Sequence, residues 1–330
     1  MHNQTDTNTH TTNKPTALDN NSMQTATNPA KSGSSFPTQL PRLDMATAFL
    51  VPPPPLDFVL PGLPKSSVGS LVAPGATGKS WVGLQLAASV AGGRDFFNFG
   101  FQQYGRVLVV AAEDPTQVLC QRIHTLGEYL TADQRVEVIN NVRIAPMLAA
   151  GVNLRSDEWV DLICKEGDGY RLIIIDTLSR VHDGDENDRR DASPIMRNLE
   201  RIAANTQAAV VFLHHVSKST ALAGQSDAQQ ASRGSSVWVD ESRWVAFLKT
   251  MDEKEAKKLS ISGDMRRSYV RLGVSKQNYG APVKDRWLQR VAGGVMLPAD
   301  IDTKPATRSA RAVKAVAPIK GVEICHDVPF

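Results

Sequence analysis

A glycine-rich turn followed by lysine and serine is the residue pattern in this chain that is best suited to chemistry. It joins a predicted strand, Val68–Ala73, to a helix predicted to start at Lys79. Small residues let backbone N–H groups approach phosphates, and a helix N-terminus adds partial positive charge. The pattern predicts that Lys79 reaches the β and γ phosphates of a nucleotide and that Ser80 binds Mg²⁺. The residues predicted to hold the phosphates are Gly75, Ala76, Thr77, Gly78, Lys79 and Ser80.

One position departs from the usual phosphate-loop pattern, G-x-x-x-x-G-K-S/T. Ala73 stands where that pattern has its first glycine. The alternative interpretation is a glycine-containing turn that Lys79 and Ser80 follow by chance. The order of strand, loop and helix around the motif favours the phosphate loop.

Two acidic residues follow predicted buried strands and are candidates for metal binding and base catalysis. The apolar run from Tyr170 ends at Asp176, which is predicted to lie beside Mg²⁺ at the carboxyl edge of a sheet. The alternative role for Asp176 is to cap the next helix. Thr177 follows it, so the base that orients water must come from another strand.

The predicted strand Val107–Ala112 supplies that base. Asp114 and Pro115 are predicted as the N-cap and the first residue of the next helix, which leaves Glu113 for chemistry. The alternative is that Glu113 only complements the dipole of that helix.

Two histidines end the apolar run Val210–Leu213. A polar group there can detect the γ-phosphate and transmit its loss to the next loop, and His215 is the preferred sensor. The alternatives are structural histidines or metal ligands.

The remaining pattern predicts the fold class, an α/β domain with a mainly parallel twisted sheet flanked by helices. Further strands are predicted at Trp244–Leu248 and Tyr269–Val274. Helices are predicted from Lys79 to about Ala91, from Thr116 to Leu130, and around the apolar stripe Ile195, Leu199, Ile202 and Ala203.

Composition separates this core from two tails. Residues 1–42 form a predicted disordered polar tail, residues 43–298 the predicted ATPase domain, and residues 299–330 a predicted flexible basic tail. The net charge of +3, from 37 basic and 34 acidic residues, excludes a highly basic nucleic-acid coat.

Three cysteines lie far apart, so neither a disulfide framework nor a zinc site is expected. With neither a membrane-length apolar run nor a signal peptide pattern, the chain is predicted to be cytoplasmic, without a membrane partner.

The order of phosphate loop, glutamate, aspartate without a second acid, and polar sensor resembles the RecA-like ATPases and, among them, the hexameric replicative helicases. The likeness covers roughly residues 45–298 and is closest to the RepA replication helicases of IncQ-type plasmids. The segments that carry it are 53–57, 78–80, 112–115, 212–215, 229–236 and 273–282.

This resemblance implies ATP and Mg²⁺ as cofactors, with Lys79 and Ser80 on phosphate and metal. It implies Asp176 as the metal-side acid, Glu113 as catalytic base and His215 as sensor. It also implies a homohexamer that moves on single-stranded DNA, unwinds forked DNA in plasmid replication, and meets plasmid initiator or primase proteins.

Arg243 is implied as an arginine finger that enters the neighbouring subunit's site, with Lys276 as a second contact in trans. An arginine at the start of a strand remote from its own phosphate loop supports that role, since such a finger can raise the rate by about 10³–10⁵. The alternative is a surface cation.

The polar stretch 216–236, which contains Lys218 and Arg233, is predicted to line the channel and contact the DNA backbone. An exposed insertion is the alternative. The basic residues of 252–267 are interleaved with acids and indicate a solvated face instead. Two other functions stay open: a RecA-like recombinase that forms filaments, and an ATP-dependent switch.

Overall fold

The structure is a computed structural model that describes residues 40–185, 188–216 and 236–301, with only the backbone of Ser236. The chain divides into two compact units between Pro53 and Pro54, within a run of four prolines at 52–55. The first unit contains helix α1 (Met45–Leu50), which the Asp44 side chain caps. None of the helices in the described ranges is long and apolar enough to span a membrane. Most of both predicted tails and nearly all of the predicted DNA loop, 216–236, lie outside the described residues.

The second unit is built around a nine-stranded sheet, beside a short two-stranded one. All six predicted strands are present, including the one predicted at Leu172–Ile175, and four of them extend further than predicted. The strands are β1 (Phe58–Leu60), β2 (Leu63–Pro64), β3 (Val68–Ala73), β4 (Val107–Ala111), β5 (Val142–Pro146), β6 (Leu172–Asp176), β7 (Ala209–His215), β8 (Trp244–Thr250), β9 (Tyr269–Gln277), β10 (Arg286–Arg290) and β11 (Met296–Pro298).

The helices of this unit lie between the strands, as the alternating pattern predicts. The predicted stripe on the third helix is confirmed, because its four apolar residues are all buried. The second helix was predicted to reach Leu130 but ends at Gly127, where hydrogen-bonded turns take over. The helices are α2 (Lys79–Val90), α3 (Thr116–Gly127), α4 (Ala132–Asn141), α5 (Asp157–Glu166), α6 (Arg189–Thr206), α7 (Ser236–Glu241) and α8 (Glu253–Lys258).

Helix α2 starts and stops close to its predicted limits. Gly78 is its N-cap and Ala91 its C-cap. Gly92 follows with a φ of +95°, in the left-handed region that glycine adopts without strain.

The strand order of the large sheet is β11-β10-β9-β8-β3-β7-β6-β4-β5. The five pairings from β8 to β5 are parallel, and the three from β8 to β11 are antiparallel. The predicted mainly parallel α/β fold is therefore confirmed, with an antiparallel extension at one edge.

Burial of both faces explains the uninterrupted apolar strands. In β6, Ile174 packs into one core with residues of α2, whereas Ile173 and Ile175 pack into the opposite core with residues of α6. Full burial of each such side chain contributes about 1.5–3 kcal/mol to folding. The polar residues at the ends of these strands are thus held by a rigid two-sided core.

Register brings those strand ends to one edge. Ala73 of β3 pairs with His215 of β7, and Ala111 of β4 pairs with Asp176 of β6. The phosphate loop, Glu113, Asp176 and His215 accordingly share the carboxyl edge of the sheet, where α/β proteins bind ligands.

Candidate active site

The phosphate loop spans residues 73–80 between β3 and α2. Thr77 Oγ1 donates to the carbonyl of Pro74 at 2.8 Å, which closes the turn. Gly78 has a φ of +103°, and a Cβ there would come within 2.4 Å of Met296 Cε. The positive φ favours glycine here, and a Cβ would in addition force the end of the Met296 side chain to move.

Lys79 is buried with its ammonium inside the loop. Its Nζ donates to the carbonyls of Ala73 at 3.1 Å and Pro74 at 3.4 Å, and it lies 2.9 Å from His215 Nδ1. Burial lowers the pKa of Lys79 from 10.5 to about 8, although Glu113 and Asp176 oppose the shift. The ammonium form therefore stays populated at neutral pH and is poorly solvated, which suits a group that awaits an anion.

Asp176 and Ser80 lie together at the floor of the site. Burial raises the pKa of Asp176 from 3.8 to about 6, and a hydrogen bond from Ser80 opposes the shift. The Oδ1 atom of Asp176 is buried and has no hydrogen-bond partner in the structure. A hydroxyl beside an unsatisfied carboxylate oxygen is a donor set that fits Mg²⁺, which takes few protein ligands and completes its shell with water and phosphate oxygens. In the described part of the chain, no cluster of three or more His, Cys, Asp or Glu forms a denser cation site.

Glu113 and His215 face each other across the site. Glu113 Oε2 lies 3.6 Å from His215 Nε2, and hydrogen bonding to His215 lowers the pKa of Glu113 against the effect of burial. Because an ammonium can only donate, His215 Nδ1 accepts from Lys79, which leaves the ring proton on Nε2, towards Glu113. His215 thus connects the phosphate-binding lysine to the candidate base.

The predicted role of Asp114 is wrong. Helix α3 begins at Thr116 with Pro115 as its N-cap, and neither supplies a side-chain cap. Both carboxylate oxygens of Asp114 instead accept from Arg122, about two turns into the same helix. Arg122 thus competes with the backbone N–H groups for this carboxylate, and Asp114 holds the helix through an ion pair instead of a cap.

Arg243 is not brought to this site. Its backbone N–H donates to the carbonyl of Val68, at the start of β3, whereas the phosphate loop follows the end of β3. The six residues of that strand span roughly 20 Å. Arg243 is exposed. Burial lowers the pKa of Lys276, and the nearby charge of Arg243 also acts to lower it. Lys276 donates to the carbonyls of Val239 and Asp240 at 3.0 and 2.7 Å. Both cations therefore lie at the amino edge of β3, away from their own phosphate loop.

Arg290, which the sequence interpretation missed, contacts the phosphate loop. Its Nη2 donates to the carbonyls of Ala76 at 3.1 Å and Thr77 at 2.8 Å. These residues are more than 200 positions apart, and no local pattern in β10 signals the contact.

The predicted solvated face at 252–267 has mixed charge in the structure. Asp252 forms a capping box with Glu255 at the start of α8 and accepts from Lys249 at 2.8 Å. Arg266 lies 3.4 Å from Glu253. Acidic side chains therefore form ion pairs with several of the basic residues in and near this segment.

The chain is similar to a known protein family and to solved structures. The model of the AAA domain family matches residues 35–221, more than half of the chain. The solved structure of a DnaB-like replicative helicase, described with its interactions with primase, aligns with a TM-score of 0.51 and 16% identity over 71% of this chain. The alignment covers 57% of that helicase. The RadB recombinase aligns at 0.46 and 13% identity, over 72% of this chain and 93% of that one. The chain belongs to the AAA domain family, and its core has the RecA-like P-loop NTPase fold.

Proposed function

We propose that this protein is an ATP hydrolase that uses turnover to move along single-stranded DNA and unwind duplex DNA in plasmid replication. The observation that carries the hydrolase part of the proposal is the continuous set of contacts at one sheet edge: Lys79 in the phosphate loop, His215, and Glu113, with Ser80 and Asp176 beside them. Movement on DNA, unwinding and plasmid replication rest on the resemblance of the sequence to replicative helicases.

Each residue of this set has a chemical task. Lys79 exchanges the loop carbonyls for phosphate oxygens, which satisfy its ammonium better than neutral carbonyls do. Ser80 and Asp176 hold Mg²⁺, which when bound neutralises charge that develops on the phosphate oxygens. Glu113 is ionised at neutral pH because its pKa is lowered, so it can orient the attacking water and accept its proton.

His215 is placed to report the state of the nucleotide. It contacts both the lysine that binds phosphate and the glutamate that faces the water. Loss of the γ-phosphate changes the partners of Lys79, and the imidazole is the first group that responds. β7 then continues through Val216 into the segment proposed to contact DNA.

A ring-shaped homohexamer would explain why Arg243 lies far from the phosphate loop of its own chain. At the amino edge of the sheet it is too far from its own phosphate loop to stabilise the transition state there. In a homohexamer it would enter the site of the next subunit, with Lys276 beside it, so that each ATP site lies between two chains. The fold shared with a DnaB-like replicative helicase supports this arrangement.

The stretch 216–236 is proposed to contact DNA, and each subunit is proposed to bind it weakly. Because phosphate contacts dominate such binding, it should be independent of base sequence and weaken with salt. A plasmid initiator or a primase is the proposed protein partner, as that helicase structure includes interactions with primase.

The test is strand displacement on a forked duplex with ATP and Mg²⁺, with a Lys79→Ala variant as control. Unwinding by the wild type alone supports the motor, and forks that lack one tail then give the direction of travel. ATP hydrolysis without unwinding would contradict the motor and favour a recombinase or a switch. Electron microscopy with DNA would then distinguish these two, because the recombinase forms filaments.

A further inference from the structure

The C-terminal hairpin of strands β10 and β11 folds back onto the phosphate-loop helix. Gln85 of α2 is fully buried, and its side chain pairs with both backbone groups of Met296, donating at 2.7 Å and accepting at 2.9 Å. The turn before Met296 also packs closely against α2, since a Cβ on Gly294 would lie 2.5 Å from Nε1 of Trp81 on that helix. The hairpin is thus fixed to α2 by buried, specific contacts.

Arg290 is placed by this hairpin on the outer side of the phosphate loop. One guanidinium nitrogen donates to two successive carbonyls, those of Ala76 and Thr77. In a trans peptide the C=O and N–H groups point in opposite directions. A guanidinium that holds these two carbonyls therefore directs the N–H groups of Thr77 and Gly78 away from itself. The Thr77 N–H donates to the carbonyl of Pro74 at 3.4 Å, so the Gly78 N–H is the group that Arg290 orients towards an anion.

The charge of Arg290 adds to this orientation. Arginine stays protonated at all working pH values, and its charge-assisted hydrogen bonds are about twice as strong as neutral ones. It polarises the peptide group that faces a phosphate, while its Nη2 atom is held by the loop carbonyls. Lys79, by contrast, must leave its loop carbonyls before it binds the anion.

We infer that Arg290 is a positioning residue of the nucleotide site, which holds the phosphate loop in its anion-binding conformation from the hairpin side. The inference rests on the proposed function, because it assumes that the loop binds nucleotide phosphates. It adds a contact within the same subunit and makes the hairpin of β10 and β11 part of the nucleotide site.

The experiment compares Arg290→Gln, Arg290→Lys and Arg286→Gln in the full chain. Arg286 is the matched control: it lies four residues earlier on the same strand and carries the same charge. Its guanidinium donates to the carbonyls of Lys284 and Asn98 at 3.1 and 3.3 Å and lies over the Phe99 ring, away from the loop.

The readouts are the Kd of Mg·ADP by calorimetry, KM and kcat for ATP, and the melting temperature without nucleotide. Arg290→Gln is expected to weaken Mg·ADP binding and raise KM by about tenfold or more, the loss typical of charge-assisted hydrogen bonds, with a smaller change in kcat. Arg290→Lys should recover part of the affinity, and Arg286→Gln should stay within about twofold of the wild type.

Equal affinity for Arg290→Gln and wild type would overturn the inference. So would a loss of affinity that Arg286→Gln reproduces together with the same fall in melting temperature, because that result marks a general effect on the hairpin. A wild type that binds no Mg·ADP would instead contradict the proposed function.

Discussion

The ammonium of Lys79 lies 2.9 Å from Nδ1 of His215. The lysine proposed to bind phosphate is therefore held by the proposed sensor. A phosphate must compete with the imidazole and two loop carbonyls for this ammonium. Nucleotide binding and the state of His215 are consequently linked by one shared hydrogen-bond donor.

Glu113→Gln should separate binding from hydrolysis. The amide keeps the size of the side chain but cannot accept the proton of the attacking water, so kcat should fall by about 10²–10⁴. Binding of Mg·ATP should stay within about threefold, because no role on the phosphates is assigned to Glu113. Single-turnover hydrolysis and calorimetry measure the two effects, with the exposed Glu200→Gln on α6 as control. A variant that hydrolyses ATP at the wild-type rate would remove Glu113 from the mechanism.

Asp176→Asn should stabilise the nucleotide-free protein while it abolishes hydrolysis. Burial raises the pKa of Asp176 from 3.8 to about 6, so the folded state binds the proton more tightly than the unfolded chain. The free energy of unfolding accordingly falls as pH rises from about 4 to about 6, by about 3 kcal/mol in all. Asparagine avoids this cost.

Thermal melts at pH 8 and pH 4.5 measure this difference. The variant should melt several degrees above the wild type at pH 8, and most of the gain should disappear at pH 4.5. A variant that is less stable than the wild type at pH 8 would contradict the assignment of a destabilising buried charge to Asp176.

Arg243→Ala should lose ATPase activity and recover it in mixed rings. If Arg243 acts on the neighbouring site, a subunit with an intact Arg243 can serve a subunit with an intact Lys79. Mixtures of Arg243→Ala and Lys79→Ala should then hydrolyse more ATP than either variant alone. Arg197→Ala, an exposed arginine on α6, should behave as wild type. Mixtures that show only the sum of the two separate activities would count against a role in trans.

Asp57→Ala should affect stability alone. Arg171 is buried just before β6, and Asp57 accepts from it at 2.8 and 2.5 Å. Removal of the carboxylate leaves a buried guanidinium with poorer partners and should cost about 2–3 kcal/mol in the free energy of unfolding. Urea denaturation measures the loss. Nucleotide affinity should not change, because this pair lies at the amino edge of the sheet; a large fall in affinity would indicate a wider structural effect.

Local patterns predicted the elements that position the site. The phosphate loop was predictable because its chemistry lies in consecutive residues, and the strand ends at Asp176 and His215 because buried parallel strands are continuously apolar. The assignment of Asp114 as a helix cap failed for a local reason: Arg122, two turns along the helix, competes for the same carboxylate.

Contacts between distant parts of the chain could not be predicted from the sequence. Arg290 reaches the phosphate loop only because three antiparallel strands extend the sheet and the last hairpin returns to α2. Its strand, β10, has five residues and an arginine at each end, and no spacing distinguishes the arginine that touches the loop from the one that does not. The packing that selects between them is a property of the whole sheet.

The ATPase rate with and without single-stranded DNA tests most directly whether this sheet edge holds a DNA-coupled ATP site. The wild type and the control Lys165→Ala, an exposed lysine on α5, should hydrolyse ATP faster when DNA is present. Lys79→Ala should fall by at least about 100-fold in both conditions, the loss typical when a charged group that stabilises the transition state is removed. Hydrolysis by Lys79→Ala at the wild-type rate, or a wild-type rate that DNA leaves unchanged, would contradict a DNA-coupled ATP site at this edge of the sheet.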